Sequence, residues 1–207
     1  LAERGGLFLS WCGAPVLMVG NDPSRVESDL LAGVLVCPGC GGRVGPWGRA
    51  RRRLIRGHGW VRPRRGRCRS CRVTHVLLPA GLLIRRRDHV DVIGAALLAW
   101  SAGSGHRCIA SGLGVPADTV RGWLRRFAAR AEQIRGLFWL LAHRFDPSLG
   151  PIGARGSPVA DALEAIGVAA GAAVRRFGPT SSVWVFVSGA TSGALLCNTS
   201  SLYRPGL

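Results

Sequence analysis

The sequence contains no lysine: all 28 basic residues are arginine, set against 11 acidic residues for a formal net charge of +17. From residue 30 to residue 87 there is no aspartate or glutamate either, yet fifteen arginines fall in that stretch. A coding bias toward G and C accounts for part of the choice of arginine over lysine, but not for the imbalance of charge. Long apolar runs are also missing. Residues 7–19 and 183–196 are apolar but short of the roughly 20 residues that span a bilayer. The first run lacks a strongly basic start and a clean small-residue cleavage site, which argues against a secretory signal. The expected location is cytoplasmic, in association with the nucleoid. There is no glycine-rich phosphate loop and no nucleophile beside a base. A first residue of Leu1 suggests a fragment or an unusual start codon.

What is present is a strongly basic chain of 207 residues, 47% apolar, with 30 glycines and 12 prolines that break it often. That size allows one or two small domains built of short elements. So large an imbalance calls for a polyanionic partner. Nucleic acid is the usual one and anionic membrane the competitor. Because fifteen of the arginines lie in one acid-free region, that region is expected to make the contact.

Seven cysteines occur, and four form two pairs: Cys37-x2-Cys40, twenty-seven residues, then Cys68-x2-Cys71. An odd total with Cys12, Cys108 and Cys197 scattered singly argues against a secreted disulfide scaffold. A redox CxxC prefers the start of a helix after a strand, and neither pair is followed by one. Two CxxC knuckles instead supply four thiolates, the tetrahedral set of a closed structural Zn2+ site with no open position for water. Four thiolates and Zn2+ carry a formal charge of −2, which the neighbouring arginines offset. Pro38-Gly39 and Gly41-Gly42 suit the tight backbone of the first knuckle. Arg72 stands in the second where a glycine would be easier, at a cost of about 1 kcal/mol if that position needs a positive φ. His58 and His75 read as ordinary histidines, and Cys108, between Arg107 and Ile109, as a core residue.

The chain divides into a flexible leader (1–33), a zinc ribbon (34–80), a helix-turn-helix domain (81–146), a linker (147–156) and a C-terminal helical, apolar segment (157–207). The predicted fold class is mainly α with a small β zinc ribbon: a helix-turn-helix three-helix unit followed by a further helical segment. DHVDVIGAALLAWSAG places Val92, Ala95, Ala96 and Ala99 on one helical stripe, with Ile93, Leu97 and Trp100 beside it. In HRCIASGLGVPADTVRGWLRRF a first helix supplies Ile109 and Ala110, and Gly114 permits the turn. The next helix buries Val120, Trp123, Leu124 and Phe127, with Pro116 at its first position and Ala117, Asp118, Arg121, Gly122 and Arg125 on its outer side. Residues 136–146 extend that helix. Ser157, Pro158 and Asp161 mark the start of another helix, and the apolar tail packs back on the rest.

IASGLGVPADTVRGWLRRF resembles the helix-turn-helix of bacterial transposases and repressors. CPGCGGRVGPWGRARRRLIRG with RPRRGRCRSCRVTHVLLP is similar to a family of small actinobacterial proteins that carry a zinc ribbon ahead of a helix-turn-helix, and to the opening DNA-binding region of some insertion-sequence transposases. The likeness covers roughly residues 35–135. It implies DNA binding and a mobile-element origin, with Pro116 replacing the usual capping serine.

A transposase also needs a carboxylate triad on a mixed sheet. The acids after the ribbon are Asp88, Asp91, Asp118, Glu132, Asp146, Asp161 and Glu164, nearly all on predicted helices, so no enzyme is expected. The expected function is that of a DNA-binding protein, a transposase-like chain or a transcriptional regulator, with one structural zinc and no small-molecule substrate or membrane partner. Arg51, Arg52, Arg53, Arg64, Arg65 and Arg67 are expected on phosphate. Ala117, Asp118, Arg121 and Arg125 are expected in the groove, with Arg121 and Arg125 reading bases. Two alternatives stay open: a module that docks on protein or RNA, with the apolar tail favouring a homodimer, and a catalytically inactive truncated transposase.

Overall fold

The protein is described here from a computed structural model covering residues 16–179 and 182–197. A small sheet and its covering helix come first, and a bundle of helices follows. The mainly α class with a small β part is thus observed. No helix of the described residues is long and apolar enough to cross a membrane.

Residues 16–33, expected as a flexible leader, instead form β1 (Val16–Val19) and α1 (Pro23–Ala32). The turn-like NDPS is a helix start: the Ser24 N–H donates to Asp22 Oδ1 at 2.9 Å, and Pro23 occupies the first turn. Gly33, at φ 67°, closes the helix in the left-handed conformation. Only Val26 and Leu30, one turn apart, are buried on α1. Two apolar residues are too weak a periodic signal to mark a helix in advance.

The ribbon contributes β2 (Val44–Arg49), β3 (Arg53–Ile55), β4 (Gly59–Val61), β5 (Arg64–Cys68) and β6 (Thr74–Pro79). The main sheet runs β1-β6-β5-β2, with β1 parallel to β6 and the rest antiparallel, while β3 and β4 form a separate hairpin. The hairpin turns at Gly57-His58, where Gly57 has φ 73°. Ahead of the first knuckle the chain makes a single bridge from Val36 to Arg43. Gly66 sits where the sheet is tightest: a Cβ there would lie 2.4 Å from a Val44 methyl. Val26 and Leu30 of α1 pack on Val44, Leu77 and the two buried cysteines Cys37 and Cys68.

The helices are α2 (Val90–Ser101), α3 (His106–Leu113), α4 (Ala117–Ala128), α5 (Ala131–Phe145), α6 (Pro158–Phe177) and α7 (Val183–Ala190). On α2 the buried stripe is Val90, Ile93, Gly94, Ala96 and Leu97, and Ala95 is exposed. The larger side chains of the two candidate stripes take the interior because they remove more apolar area from water. Helices α2, α3 and α4 pack on one another. Pro116 is the residue before α4 rather than its first position, and it offers no side-chain cap. The single helix expected to run to residue 146 is broken at Ala129-Arg130. Arg130 is buried there and donates to the carbonyls of Ala194 and Cys197, tying the joint to the C-terminal segment.

Helix α6 starts as expected, with Ser157 Oγ accepting from the Ala160 N–H. Its alanine-rich buried face lets it lie close against α5. The tail does pack back: α7 is capped by Ser182, whose hydroxyl also donates to Asp91 at 2.6 Å. The Trp184 indole fills the space over Gly94, where a Cβ would come within 2.0 Å of the ring. Ile55, Leu78 and Leu82 form a small cluster that shares the partly buried Ile84 with the helical core, and the buried Asp88, just before α2, pairs with Arg56 at 3.1 Å.

Candidate metal centre and its arginine surface

Each knuckle is built by the same two backbone hydrogen bonds. The Gly41 N–H donates to the Cys37 carbonyl at 2.8 Å, and the Cys37 N–H to Gly42 at 2.8 Å. In the second, the Arg72 N–H donates to Cys68 at 3.1 Å and the Cys68 N–H to Val73 at 2.9 Å. The two turns are therefore local copies, joined where Val44 of β2 lies opposite Cys68 of β5. The copy also fixes the backbone. Gly41 has φ 71° and its counterpart Arg72 has φ 64°. The left-handed conformation costs an L-residue about 1–2 kcal/mol, and glycine loses part of that gain through its looser unfolded chain. Arg72→Gly is expected to stabilise the metal-loaded protein by about 0.5–1 kcal/mol, read as a rise of about 2 °C in its thermal midpoint. An unchanged or lower midpoint would count against strain at this turn.

The four sulfurs of Cys37, Cys40, Cys68 and Cys71 lie within 4.8 Å of one another. The contacts run between knuckles: Cys37 to Cys71 at 3.7 Å and Cys40 to Cys68 at 3.4 Å. A tetrahedron with metal–sulfur bonds of about 2.3 Å has edges of about 3.8 Å, so the spacing is compatible with one ion. The positions expected as ligands are thus brought together as one site. The thiols also bias one another. Burial pushes Cys68 up, but N–H groups of Cys71 and Ser70 and the Cys40 thiol outweigh it and bring Cys68 down to about 6. For Cys71 the Val73 N–H acts downward, yet burial and the three other thiols push it up to about 12. One thiolate forms readily and the last resists, because four negative sulfurs at this distance repel unless a cation sits among them.

His75, expected as an ordinary histidine, lies against the site. It is buried on β6, with Nε2 3.3 Å from Cys37 Sγ, and its Nδ1 has no hydrogen-bond partner among the described residues. Burial lowers its pKa and so favours the neutral imidazole, whose Nε2 lies within hydrogen-bond reach of the sulfur. The available clue was the alternation in THVLLP, which puts His75 on the same buried face as Leu77. His75→Phe is expected to keep the fold and weaken metal binding about tenfold in competition with a chromophoric chelator. Unchanged affinity would reduce His75 to packing. Cys108, read as core, is exposed on α3.

The arginines around the site differ in how they are engaged. Arg51 and Arg52 are exposed between β2 and β3, and the Arg52 guanidinium lies 4.5 Å from the centre of the Trp60 ring. Arg67 lies 4.4 Å over Trp47 and donates from Nε to the Arg72 carbonyl at 3.0 Å. Arg53 and Arg65 are half-buried. Arg64 is the most committed of the six: it pairs with Glu27 at 2.7 Å and donates to the Gly48 carbonyl at 2.8 Å. Exposed Arg43, Arg49, Arg62, Arg69 and Arg72 join the same surface. They belong to the acid-free stretch expected to make the contact, and the strand register sets Arg49 opposite Arg64.

Beyond the ribbon, α3 ends at Gly114, φ 62°, and α4 begins three residues later. Val120, Trp123, Leu124 and Phe127 are all buried. Asp118, Arg121 and Arg125 are exposed, and Ala117 and Gly122 half-buried. Asp118 and Arg121 form an exposed ion pair at 3.1 Å, of a kind that water and salt readily loosen. No protein-family model, curated protein or solved structure matches the chain.

Proposed function

We propose that the protein is a double-stranded DNA-binding protein, transposase-like or a transcriptional regulator, in which a structural zinc ribbon grips phosphate and α4 reads bases. The observation that carries this reading is the two-sided character of α4. One side is committed to the core through Val120, Trp123, Leu124 and Phe127, and the other presents Arg121 and Arg125 just after a glycine turn. A short α3, a three-residue turn and a second helix with a small, basic outer side fit the helix-turn-helix pattern, in which the second helix enters the major groove. The donor set supports zinc: four sulfurs, no open position and a neutral imidazole beside one of them. Arginines drawn from an acid-free stretch supply the phosphate contacts, which make binding salt-dependent.

The seven carboxylates after the ribbon are each tied to a basic residue or a backbone amide, and this favours a binding role over catalysis. Asp88 meets Arg56, Asp91 His89, Asp118 Arg121, Glu132 Arg135 and Asp146 Arg175. Glu164 meets Arg155, and Asp161 accepts the Arg155 backbone N–H. The exposed Trp139, Leu140, Val174 and Phe177 on α5 and α6 favour self-association as a homodimer.

Selection of bound sites from a random DNA pool with zinc-loaded protein tests the reading, with a single-stranded RNA arm to separate DNA from RNA preference. Arg121→Ala is expected to cost about 1–3 kcal/mol of discrimination against the wrong base. Arg52→Ala is expected to weaken binding to all sequences alike and lower the salt slope by about one. Equal losses on selected and random DNA for Arg121→Ala would remove α4 from base reading.

A further inference from the structure

A cleft of about 610 Å³ opens between the β3–β4 hairpin, the start of α1 and the start of α2. Its volume lies in the range of small-molecule sites, about 300–1,000 Å³. The apolar side chains of Val26, Leu77 and Leu82 contribute to its lining, and Trp60 stands on one side. That indole is 60% exposed even with the Arg52 guanidinium over its ring. Two arginines of the lining, Arg49 and Arg62, have no ion pair among the described residues, while the lining carboxylate, Glu27, is neutralised by Arg64. Asn21 accepts the Gly81 N–H through Oδ1 at 2.8 Å, so its amide N–H2 remains available to donate.

An indole beside apolar walls takes a flat aromatic ring, and unpaired guanidinium groups take an anion. The two together describe a nucleotide. A base inside a duplex is stacked on both faces and cannot enter a cleft, so the ligand must be unpaired. We infer that this cleft holds one unpaired nucleotide, its base against Trp60 and its phosphate at Arg49 and Arg62, an inference that rests on the reading of the chain as a nucleic-acid-binding protein. The exposed Arg52, over the Trp60 ring, continues the phosphate track beyond the extruded residue. The ribbon thereby distinguishes distorted or open DNA from regular duplex, a discrimination that α4 does not supply.

The test uses the zinc-loaded full chain and three labelled probes: a paired duplex, the same duplex with one unpaired adenosine, and that duplex with an abasic residue at the unpaired position. The unpaired adenosine is expected to bind about tenfold tighter than its abasic counterpart, one stacked base being sufficient for that factor. Trp60→Phe retains the preference. Trp60→Leu, which keeps apolar bulk without a π-face, loses it while zinc content and helical signal stay level. AMP that erases the preference without displacing paired duplex extends the site to free nucleotides; a preference that resists AMP confines it to nucleotides in a strand. Equal affinity for adenosine and abasic probes overturns the inference, as does a preference that survives in Trp60→Leu. Paired-duplex binding without any preference removes this site alone and leaves the proposed function intact. Trp60-dependent binding of AMP with no binding of duplex removes the proposed function instead.

Discussion

Removal of metal from the four cysteines is expected to unfold the ribbon and leave the helices standing. The ribbon's own buried cluster consists of Val26, Leu30, Val44 and Leu77 plus Cys37 and Cys68, two of the metal's ligands. Four aliphatic side chains stabilise by about 1.5–3 kcal/mol each. Fixing the backbone costs about 1–2 kcal/mol per residue, and β1 to β6 with α1 form a small unit, so the deficit is large. Units of this size ordinarily need a metal or disulfide, and a structural thiolate zinc site contributes about 10–16 kcal/mol in apparent binding free energy at neutral pH. The helical cluster contains a far longer set of buried residues, drawn from α2 through α7, and none of the four cysteines. Hydrogen exchange before and after chelation is therefore expected to show loss of protection in β2, β5 and β6, with α5 and α6 unchanged, and duplex binding should fall with it. Cys68→Ser should reproduce the result at ambient zinc. Equal protection of the sheet with and without metal would show that the ribbon stands by packing alone.

Phe127→Ala is expected to be the most damaging single substitution in the helical part, at about 3–5 kcal/mol. Phe127 is fully buried in the cluster that unites the helices, on the stripe that holds α4 against its neighbours. Its removal leaves a cavity in the middle of a buried cluster, which adds to the lost transfer free energy. Against a typical total of about 5–15 kcal/mol this is a large share. The check is the urea midpoint at saturating zinc. Arg125→Ala, two residues away and exposed, should stay within about 0.5 kcal/mol in the same measurement. Similar losses for the two would contradict the division of α4 into a core side and an outer side.

The features legible in advance are those whose signal is chemical or strongly periodic. Two CxxC pairs carry their meaning in sulfur chemistry, and the four sulfurs do meet. The α4 stripe was readable because Trp123 and Phe127 are large and one turn apart. The helix start at Ser157 was readable from local hydrogen-bond chemistry. What escaped had weak or competing signals. Helix α1 buries two residues only. On α2 two apolar stripes compete, and side-chain volume decides between them. The break between α4 and α5 depends on Arg130 reaching carbonyls more than sixty residues away, which no local window contains.

The sequence by itself determined the ligand set, the acid-free arginine region and the core side of α4, because each follows from residue type and spacing along a short stretch. Only the tertiary structure decided that His75 turns its Nε2 to Cys37, that Arg64 is held by Glu27 while Arg49 and Arg62 have no carboxylate partner among the described residues, and that Trp60 borders a cleft. These depend on strand order and register, which bring together groups from β1, α1, the hairpin and α2. Sequence separation carries no information about such meetings until the sheet is paired and the helices are packed.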